Sequence, residues 1–328
     1  ANTPKSALGA IAMSSDGSQL VVAGDNRVLY VLDPKTLEVT KRVWIKVNPY
    51  EMFFSKDGSV LAIEESGSAL YFYDTKTWEL KASTKERSVG NVAHAADADL
   101  LAGFSSSSKG TTVKLFNIAD AKEVASFEIA EKLEAIAITP DGKQLAGITK
   151  SIKTDKEKRT KAPKELKDLA RLKFEQQNDE KMSKIIWFDA AGKVGVQVES
   201  WYSSRGNTRL AMPTAAAVYV INYSNKNAVV PQKGEVSLFK LNNSYNYGIG
   251  VSLDQTQVGT GGLRNGSVTK LADAVNGATF KIDSLPSWPE YFKGFIVAKD
   301  GTAYGVTTAY RLAKVKANGE IEKVVPVF

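Results

Sequence analysis

One turn signal recurs along the whole chain at the spacing of a repeated structural unit. An apolar run ends in a turn residue, which is followed in most cases by glycine, and successive turns are 41, 40, 44, 64, 49 and 46 residues apart. A period of roughly 40 to 50 residues is typical of the four-stranded blade of a β-propeller. The seven turns lie at Asp16-Gly17, Asp57-Gly58, Asp97, Asp141-Gly142, Arg205-Gly206, Asp254 and Asp300-Gly301.

A second signal inside each unit indicates the same architecture. The third strand of a blade is expected to end in Asp or Asn, and such a residue follows the first turn by 17 positions in blades one, two and five. The runs that end there are rich in β-branched and aromatic residues: LYVLD, LYFYD, VKLFN, IIWFD and VYVIN. We therefore predict one all-β domain over residues 1–328, a seven-bladed β-propeller of four-stranded antiparallel blades.

Three irregular places carry expectations of their own. The step from Asp189 to Arg205 is only 16 residues, which predicts a truncated outer strand in blade four, and a long loop is expected around residues 226–234. The strand over 320–328 completes blade seven, and residues 1–7 are too short to add a strand to that blade. Closure of the ring is then expected to depend on packing between blade faces.

Blade four carries an insertion at residues 151–184. Asp141 and Asp189 are 48 residues apart, whereas the same step in other blades is 17. The segment 150–184 contains 12 Lys/Arg and 7 Asp/Glu, so it supplies most of the chain's net charge of +7. Pro163 suits the first turn of a helix, and apolar residues recur after it at helical spacing. This pattern predicts an amphipathic helix over residues 163–180.

The predicted helix separates apolar from basic side chains, and three uses for it stay open. It could fold back on its own propeller, dock on a partner, or contact acidic lipid or nucleic acid. Nucleic acid is the least favoured partner, because acidic residues are mixed with the basic ones and few aromatic side chains are available for stacking. The candidate contact residues are Leu166, Leu169, Phe174, Lys164, Lys167 and Arg171.

Aromatic and polar residues cluster in the loops of one rim. In a propeller, the loops between second and third strands share a rim with the loops that lead from one blade to the next. Aromatic rings interleaved with arginine and asparagine suit the binding of a peptide, a sugar or a partner loop, although single rings could instead pack between blades. The candidate binding residues are Tyr50, Trp201, Tyr202, Tyr245, Tyr247, Trp288, Tyr291, Arg27 and Arg264.

The composition excludes several kinds of catalytic centre. The chain has no cysteine and one histidine, His94, which lies in a column of innermost-strand residues that is otherwise mostly apolar. Haem, copper and zinc sites of ordinary composition are therefore not expected. We assign no catalytic residue, no metal ligand and no cofactor. The glycine-rich run Gly259–Gly262 lacks the Lys-Ser/Thr of a phosphate loop and is expected to mark a tight bend.

The chain resembles the YVTN-type β-propeller repeats. The resemblance lies in LYVLDPKTLEVTKRV followed by VNPYEMFFSKDGSVLAI, and again in EAIAITPDGKQLAG. It covers blades one to four well and the others loosely. Members of that family include surface and periplasmic binding proteins and lactonase-like enzymes, so the resemblance implies a fold more than a function.

These observations favour a non-catalytic binding or scaffold protein that recognises a protein or polysaccharide partner. The alternative is a lactonase-like or metal-assisted hydrolase that uses rim carboxylates, for which Glu64, Glu65 and Glu290 are the candidates; a basic nucleic-acid-binding propeller ranks third. The sequence has no apolar run of 18 or more residues, so no transmembrane span is expected. It begins at Ala1 without a methionine, as removal of a signal peptide would leave it, so export to the periplasm or beyond the cell is favoured over the cytoplasm.

Overall fold

The computed structural model describes residues 7–65, 69–84, 90–149, 160–167, 170–171, 174, 183–200, 208–223, 227–241, 245–273, 277–286 and 289–327. Within these residues, 28 strands form seven sheets, and each sheet consists of four antiparallel strands in sequence order. The predicted all-β, seven-bladed propeller is thereby confirmed. No helix among the described residues is long and apolar enough to cross a membrane.

The strands have these bounds, blade by blade: β1 Leu8–Met13, β2 Leu20–Gly24, β3 Val28–Leu32, β4 Val39–Trp44; β5 Pro49–Phe54, β6 Val60–Glu65, β7 Leu70–Asp74, β8 Leu80–Ser83; β9 Gly90–Ala95, β10 Leu100–Ser106, β11 Thr111–Asn117, β12 Lys122–Ile129; β13 Leu133–Ile138, β14 Gln144–Thr149, β15 Ser183–Asp189, β16 Val194–Ser200; β17 Thr208–Ala211, β18 Ala217–Asn222, β19 Asn227–Pro231, β20 Ser237–Phe239; β21 Gly248–Val251, β22 Gln257–Gly261, β23 Asn265–Lys270, β24 Ala278–Lys281; β25 Phe292–Val297, β26 Ala303–Thr307, β27 Arg311–Val315, β28 Ile321–Pro326. The first strand of each blade lies innermost, against the axis, and the fourth lies outermost.

The repeated Asp-Gly turns are built by side-chain hydrogen bonds. In blade two, Asp57 Oδ1 accepts from Ser55 Oγ at 2.7 Å and from Ser59 N at 2.9 Å, while Gly58 has a φ of 72° that suits glycine. Blades one, four and six repeat the bond from the preceding hydroxyl to Asp16, Asp141 and Asp254. The turn aspartates therefore accept hydrogen bonds from nearby hydroxyl and backbone N–H groups, which fix the turns.

Blades one and seven meet through side chains, in an interface that we call the seam. Each of these blades takes its four strands from its own stretch of chain. One apolar cluster spans the two blades and includes Ile11 and Val22 on one side and Val306 on the other. Lys323 Nζ also donates to Thr36 O at 2.6 Å. Closure by face packing is thus confirmed for the described residues.

Blade five differs from the sequence-based prediction. The run VYVIN is the second strand, β18, and the expected loop over 226–234 contains the third strand, β19. The turn after β17 lies at residues 213–216, whereas Arg205-Gly206 lies outside the described residues. The error arose because second and third strands are both buried runs of β-branched and aromatic residues, so their local patterns are alike.

Blade four contains a complete outer strand. β16 pairs with β15 along most of its seven residues, so the predicted truncation is wrong. Residues 150–182 connect β14 to β15, and only 160–167, 170–171 and 174 of them are described. Ala170, Arg171 and Phe174 have a helical backbone conformation, but no helix with bounds is among the described elements, so the helical insertion over 151–184 stays a prediction.

The glycine-rich run in blade six makes room for aromatic rings. A Cβ added at Gly261 would lie 2.8 Å from side-chain atoms of Phe292 and of Phe295 on the neighbouring blade. Those two rings pack with centroids 5.0 Å apart, and Phe280 completes the group. Only Gly262 lies in the turn itself, so the expected tight bend accounts for Gly262 alone. Gly261 is explained by its close packing against the two rings.

Candidate functional site: the tyrosine rim and the axial channel

The loop between β20 and β21 is fixed by one buried asparagine. Asn246 is 1% exposed; its backbone N donates to Tyr223 O at 2.9 Å and its Nδ2 donates to Asn222 O at 3.2 Å. The next residue is tied to the adjacent strand by a bond of 2.8 Å from Tyr247 N to Gly261 O. Tyr245 and Tyr247 flank Asn246. They are thereby held with their rings toward solvent on the rim that carries the loops from one blade to the next, which we call the upper rim.

Four tyrosines form a continuous group on this rim, which we call the tyrosine platform: Tyr223, Tyr245, Tyr247 and Tyr291. The Tyr223 ring lies 5.4 Å from that of Tyr245 and 5.0 Å from that of Tyr247, centroid to centroid. Tyr247 and Tyr291 are 4.8 Å apart. At these separations the rings touch one another, so the group offers a stepped surface for stacking and leaves no space between rings for a ligand.

The platform remains accessible although its rings are packed together. Tyr245 is 53% exposed and Tyr247 is 37% exposed, and the neighbouring Leu263 is also exposed. A hydrogen bond with the Tyr247 hydroxyl, followed by burial, raises the pKa of Tyr223 to about 12. The Tyr223 phenol therefore stays protonated at neutral pH, and the platform presents hydroxyl groups beside apolar ring faces.

A channel runs along the axis beside the platform. It encloses about 390 Å³ and is lined by the first strands of the blades. At the upper rim, its mouth includes Tyr50 and Tyr247, each more than a third exposed. At the opposite end, the lining residues Met13, Phe54 and Ser252 are buried. Among the described lining residues, the exposed ones therefore lie on the side of the platform.

An ion pair crosses the channel near its mouth. Glu51 of β5 pairs with Arg209 of β17, so the bond joins blades two and five, which are separated by blades three and four. Both side chains are mostly buried. Lys293 of β25 also lines the mouth, where a β-bulge interrupts the pairing of its strand, as one does at Tyr50 in β5. Bulges of this kind redirect a side chain out of the ordinary alternation.

Gln255 lies at the lower end of the channel. This residue has a φ of 59° in the turn of blade six and is 8% exposed. Its Nε2 donates to Ile138 O at 2.6 Å and its Oε1 accepts from Met212 N at 2.7 Å. One side chain therefore ties blade six to blades four and five across the axis.

His94 lines the channel close to Gln255, whose Nε2 lies 3.4 Å from the His94 carbonyl oxygen. The His94 ring packs edge-on against Phe53 at 5.3 Å. Its Nε2 is buried with no hydrogen-bond partner among the described residues. Burial lowers the pKa of His94 to about 4, so the ring is neutral at physiological pH.

The structure brings together some of the predicted rim residues. Tyr245, Tyr247 and Tyr291 belong to the platform, and Tyr50 lies at the channel mouth. Trp201, Tyr202 and Trp288 lie outside the described residues.

Arg27 and Arg264 occupy equivalent turns of different blades. Each has a φ near 60°, and each carbonyl oxygen accepts a bond from a backbone N–H at the start of the next connection, Ile45 N and Ile282 N. These turns are part of the repeat, and only Arg264 neighbours the platform, through Leu263 and its bridge to Tyr291.

The carboxylates that were candidates for hydrolysis are engaged inside the fold. Glu64 is 1% exposed, and Glu65 accepts bonds from Asn48 N and from the Tyr71 hydroxyl. Glu290 is fully buried against Arg311, with bonds of 2.9 Å from Nε and 2.5 Å from Nη2. Among the described residues, no group of three or more His, Cys, Asp and Glu side chains is arranged to hold a metal ion.

The candidate residues of the insertion are described only in part. Lys164, Lys167 and Arg171 are exposed, and Leu166 and Phe174 are half-buried. Arg171 N donates to Lys167 O at 3.3 Å. Leu169 lies outside the described residues, and the role of this segment stays a prediction.

Sequence reasoning missed four residues of the site. Tyr223 was missed because VYVIN was taken for a third strand, which would place its end on the opposite rim. Glu51, Arg209 and Gln255 carry no local signal, since their contacts join strands that are 43 or more residues apart. The bulge at Tyr50 would have been a clue to the channel mouth, but bulges are not visible in a single sequence.

Comparison with known proteins supports the fold and not the family. The sequence matches no family model and none of the curated proteins, so the resemblance to YVTN-type repeats stays a prediction. Among solved structures, it is similar to a chain of Kuenenia stuttgartiensis Hydrazine Synthase, with a TM-score of 0.63 and 14% sequence identity. The match covers 100% of this chain and 97% of that chain. At this identity, the similarity shows a shared propeller fold alone.

Proposed function

We propose that the protein is a non-catalytic binding propeller that recognises a protein or polysaccharide partner through its upper rim. The observation that carries this proposal is the tyrosine platform, where four touching rings are held at the rim by a buried asparagine. Tyrosine supplies a large rigid contact area with a polar tip and loses little conformational entropy on binding. Such rings are enriched where proteins hold their partners.

The platform is better suited to binding than to catalysis. The Tyr223 phenol is protonated, and the rim carboxylate of Glu290 is paired with Arg311. Glu64 is buried, and Glu65 accepts two hydrogen bonds. The hydrolase alternative would therefore need to free a carboxylate from its present partners before that group could act as an acid or base.

The fold itself is compatible with work inside an assembly. A propeller presents a rim of loops on which a partner can bind, and hydrazine synthase is one solved structure with a similar fold. We extend the proposal to an exported protein of the periplasm or cell surface, with the insertion at 151–184 as a second contact. The support for export is the resemblance to YVTN-type repeats, whose family includes surface and periplasmic binding proteins.

Paired variants test the role of the platform. Wild-type protein and the double variant Tyr245→Ala/Tyr247→Ala would be immobilised and exposed to two sets of probes: envelope extract of the source cells and an array of soluble polysaccharides. We expect one partner class to bind the wild type and to lose at least tenfold in apparent affinity for the double variant. Trp44→Ala is the matched control, since Trp44 is 66% exposed at the end of the outer strand of blade one.

Two outcomes would contradict the proposal. One is equal retention of every bound partner by the double variant. The other is equal loss of binding in the Trp44→Ala control, which would indicate general surface adhesion. Circular dichroism and a thermal melt of each variant check that the propeller is intact.

A further inference from the structure

The upper-rim segments that hold or adjoin the tyrosine platform carry an excess of positive charge. These segments are residues 239–248, 261–265, 281–294 and 307–311. They contain five basic and two acidic residues, a net charge of +3. The charged residues are Lys240, Arg264, Lys281, Lys293 and Arg311, with Asp283 and Glu290. A surface of this composition attracts anions.

Only one of these positive charges is paired inside the fold among the described residues of blades six and seven. Arg311 is bound to the buried carboxylate of Glu290. Arg264 is half-buried and Lys293 is exposed, and neither has a carboxylate partner among the described residues. Asp283 is the remaining acid of these segments and is exposed. The excess of positive charge therefore faces solvent.

The other charged groups at the channel mouth reduce this excess without cancelling it. Glu51 is paired with Arg209, so together they add no net charge. Asp25 of blade one accepts hydrogen bonds from Ala7 N at 2.7 Å and from the Tyr310 hydroxyl at 3.3 Å, and both donors are neutral groups of the folded chain. With Asp25 counted, the net charge falls from +3 to +2 and keeps its sign.

The turn that contains Arg264 lies against the two exposed rings of the platform. Gly262, two residues earlier, packs so closely that an added Cβ would lie 2.9 Å from Tyr245 O and 3.9 Å from Tyr247 Cδ2. The turn is also fixed to the loop before β25, since Arg264 N donates to Glu290 O at 3.1 Å. The backbone of Arg264 is therefore held beside the platform.

The strand that contains Lys293 adjoins the platform from the side of blade seven. A Cβ added at Gly248, the residue after Tyr247, would lie 2.9 Å from the carbonyl carbon of Lys293. Lys293 also follows Tyr291 by two residues and lines the channel mouth together with Tyr247. Two cations without a carboxylate partner among the described residues are thus placed next to the rings.

The small exposed area of the rings favours a sugar chain over a protein as the partner. A tyrosine side chain offers about 200 Å² when free, so Tyr245 at 53% and Tyr247 at 37% together expose about 180 Å². A stable protein interface takes about 800 Å² from each partner. The C–H face of a sugar ring is apolar and matches the face of a tyrosine ring, while its hydroxyls match the phenol groups.

The packing of the rings is less suited to a single-stranded nucleic acid. Bases stack on successive aromatic rings along a basic groove, which requires rings with free faces. In the platform, the centroids of the touching pairs are 4.8 to 5.4 Å apart, so each ring is covered in part by another. The exposed faces are those of two neighbouring residues, Tyr245 and Tyr247.

We propose that the tyrosine platform binds an acidic polysaccharide, with sugar rings stacked on Tyr245 and Tyr247 and sugar carboxylates paired with Arg264 and Lys293. This inference rests on the proposed function, because it names the partner of the same rim. A guanidinium group matches a carboxylate in two parallel hydrogen bonds, and an ammonium group acts as a point charge. Stacking alone would hold a neutral chain equally well, so the cations supply the selectivity for acidic sugars.

One polymer with and without its charge tests this chemistry. Binding of polygalacturonate and of its methyl ester to immobilised protein would be measured at 50 and 500 mM NaCl, with alginate and hyaluronate as further acidic polymers. We expect at least one acidic polymer to bind, polygalacturonate to bind at least tenfold more tightly than the ester at low salt, and high salt to remove most of that difference. Equal affinities for polygalacturonate and its ester, or binding of none of the three acidic polymers, would overturn the proposal.

Two other polyanions test the class of partner. Poly-L-glutamate carries carboxylates without sugar rings, and oligo(dT) carries phosphates and bases. Both are expected to bind at least tenfold more weakly than the best of the acidic polysaccharides. Tighter binding of poly-L-glutamate would indicate an acidic protein partner, and tighter binding of oligo(dT) would indicate a nucleic acid; either result would overturn the proposal.

Charge variants test the two cations. Arg264→Gln and Lys293→Gln are each expected to weaken polygalacturonate binding about fivefold, and the double variant at least tenfold. Lys299→Gln is the matched control, because it removes an exposed lysine in the turn between β25 and β26 on the opposite rim. Unchanged affinity in the double variant, or an equal loss in the control, would contradict the proposal. A thermal melt of each variant checks that the fold is retained.

The double variant Tyr245→Ala/Tyr247→Ala separates this inference from the proposed function. It is expected to weaken polygalacturonate binding at least tenfold, and unchanged binding would place the acidic polymer elsewhere and overturn the inference. If the variant instead loses a neutral polysaccharide or a protein partner and no acidic polymer binds the wild type, the inference fails and the proposed function stands. If no partner of any class depends on these two tyrosines, both fail.

Discussion

At the scale of single residues, the turn aspartates contribute stability that depends on pH. Hydrogen bonds from Ser59 N, and from the hydroxyls of Ser55 and Ser59, lower the pKa of Asp57 to about 2. The unfolded chain takes up the proton near pH 3.8, so the contribution is complete above that pH and is lost as pH falls toward 2. Because the side chain is exposed, solvent screening keeps the contribution below about 1 kcal/mol.

The first prediction follows from this titration. Asp57→Asn should flatten the fall in the free energy of unfolding between pH 5 and pH 2, measured by urea denaturation. Asp300→Asn is the control at the equivalent turn of blade seven, where the structure shows one bond to the aspartate, from Thr302 N at 2.9 Å. Identical pH profiles for wild type and Asp57→Asn would show that the hydrogen bonds do not favour the ionised carboxyl.

His94 gives a second prediction with a different pH window. Burial lowers its pKa to about 4, so the unfolded chain gains a proton near pH 6.5 that the folded chain does not take up until about pH 4. Stability is therefore lost as pH falls from 6.5 to 4, by up to about 3 kcal/mol. His94→Phe places an uncharged aromatic ring at this position, as Phe54 does at the equivalent position of blade two, and should remove this loss of stability. Parallel unfolding profiles for the two proteins over that range would refute the assignment.

The sequence predicted these single-residue roles well where the cause is local. The turn aspartates and the innermost-strand position of His94 follow from patterns within a few residues. The unpartnered Nε2 of His94 and the exposed side of Tyr223 depend on which strands surround them, and that is set by pairing across blades.

At the scale of elements, one buried ion pair fastens the connection between blades six and seven. Glu290, just before β25, is bound by Arg311 of β27, which also donates to Asp283 O at 2.7 Å. The third prediction is that Arg311→Met lowers the free energy of unfolding by about 3 to 5 kcal/mol, because it leaves a buried carboxylate without its partner. Urea denaturation measures the change.

Two comparisons sharpen this prediction. The double variant Glu290→Met/Arg311→Met should recover most of the loss, since no buried charge remains. Lys316→Met, which breaks an exposed pair with Glu320 at 2.8 Å, should change the free energy of unfolding far less, because solvent screens that pair. Equal costs for the Arg311 and Lys316 variants would mean that burial of Glu290 adds nothing.

Packing between blades six and seven gives a fourth prediction. Gly261→Ala should destabilise the protein by about 1 to 3 kcal/mol, because its Cβ would meet the rings of Phe292 and Phe295 at 2.8 Å. Gly195→Ala, whose Cβ would have only the Trp187 carbonyl oxygen nearby at 3.7 Å, should be close to neutral. A neutral Gly261→Ala would show that the aromatic group moves aside without cost.

Strand order inside a blade marks the limit of prediction at this scale. Blades one to four and blade seven follow the sequence markers, but VYVIN matched the third-strand pattern while pairing as β18. A strand buried on both faces carries no periodic signal that distinguishes the second strand of a blade from the third. The turn that could have identified the second strand of blade five, at residues 213–216, contains neither Asp nor Gly.

At the scale of the whole molecule, the seam is expected to be the weakest boundary in the ring. Blades one and seven are joined by packing, whereas other neighbouring blades are also joined by a short stretch of chain. The fifth prediction is that Val306→Ala raises hydrogen exchange in residues 8–44 and 292–326 and leaves blades four and five unchanged. Both Val306 and its control Val220, buried between blades four and five, are 0% exposed.

The control decides between local and global opening. Val220→Ala should remove a similar amount of buried surface and yet raise exchange in its own blades without opening the seam. If both variants raise exchange uniformly over the chain, the propeller opens as one cooperative unit and the seam has no special weakness.

The number of blades was predictable from the sequence because most blades repeat one pattern. The side-chain contacts between distant parts of the chain were not predictable, because each occurs once. Gln255 bonds to blades four and five, and Arg209 pairs with Glu51 of blade two. Single contacts between distant segments leave no period in the sequence.

The upper end of the axial channel lies beside Tyr247 of the platform. A partner bound on the platform would therefore cover this end of the channel and slow the exchange of molecules between the channel and bulk solvent. Exchange kinetics of a trapped molecule would then report on the presence of the partner, even where the two never touch.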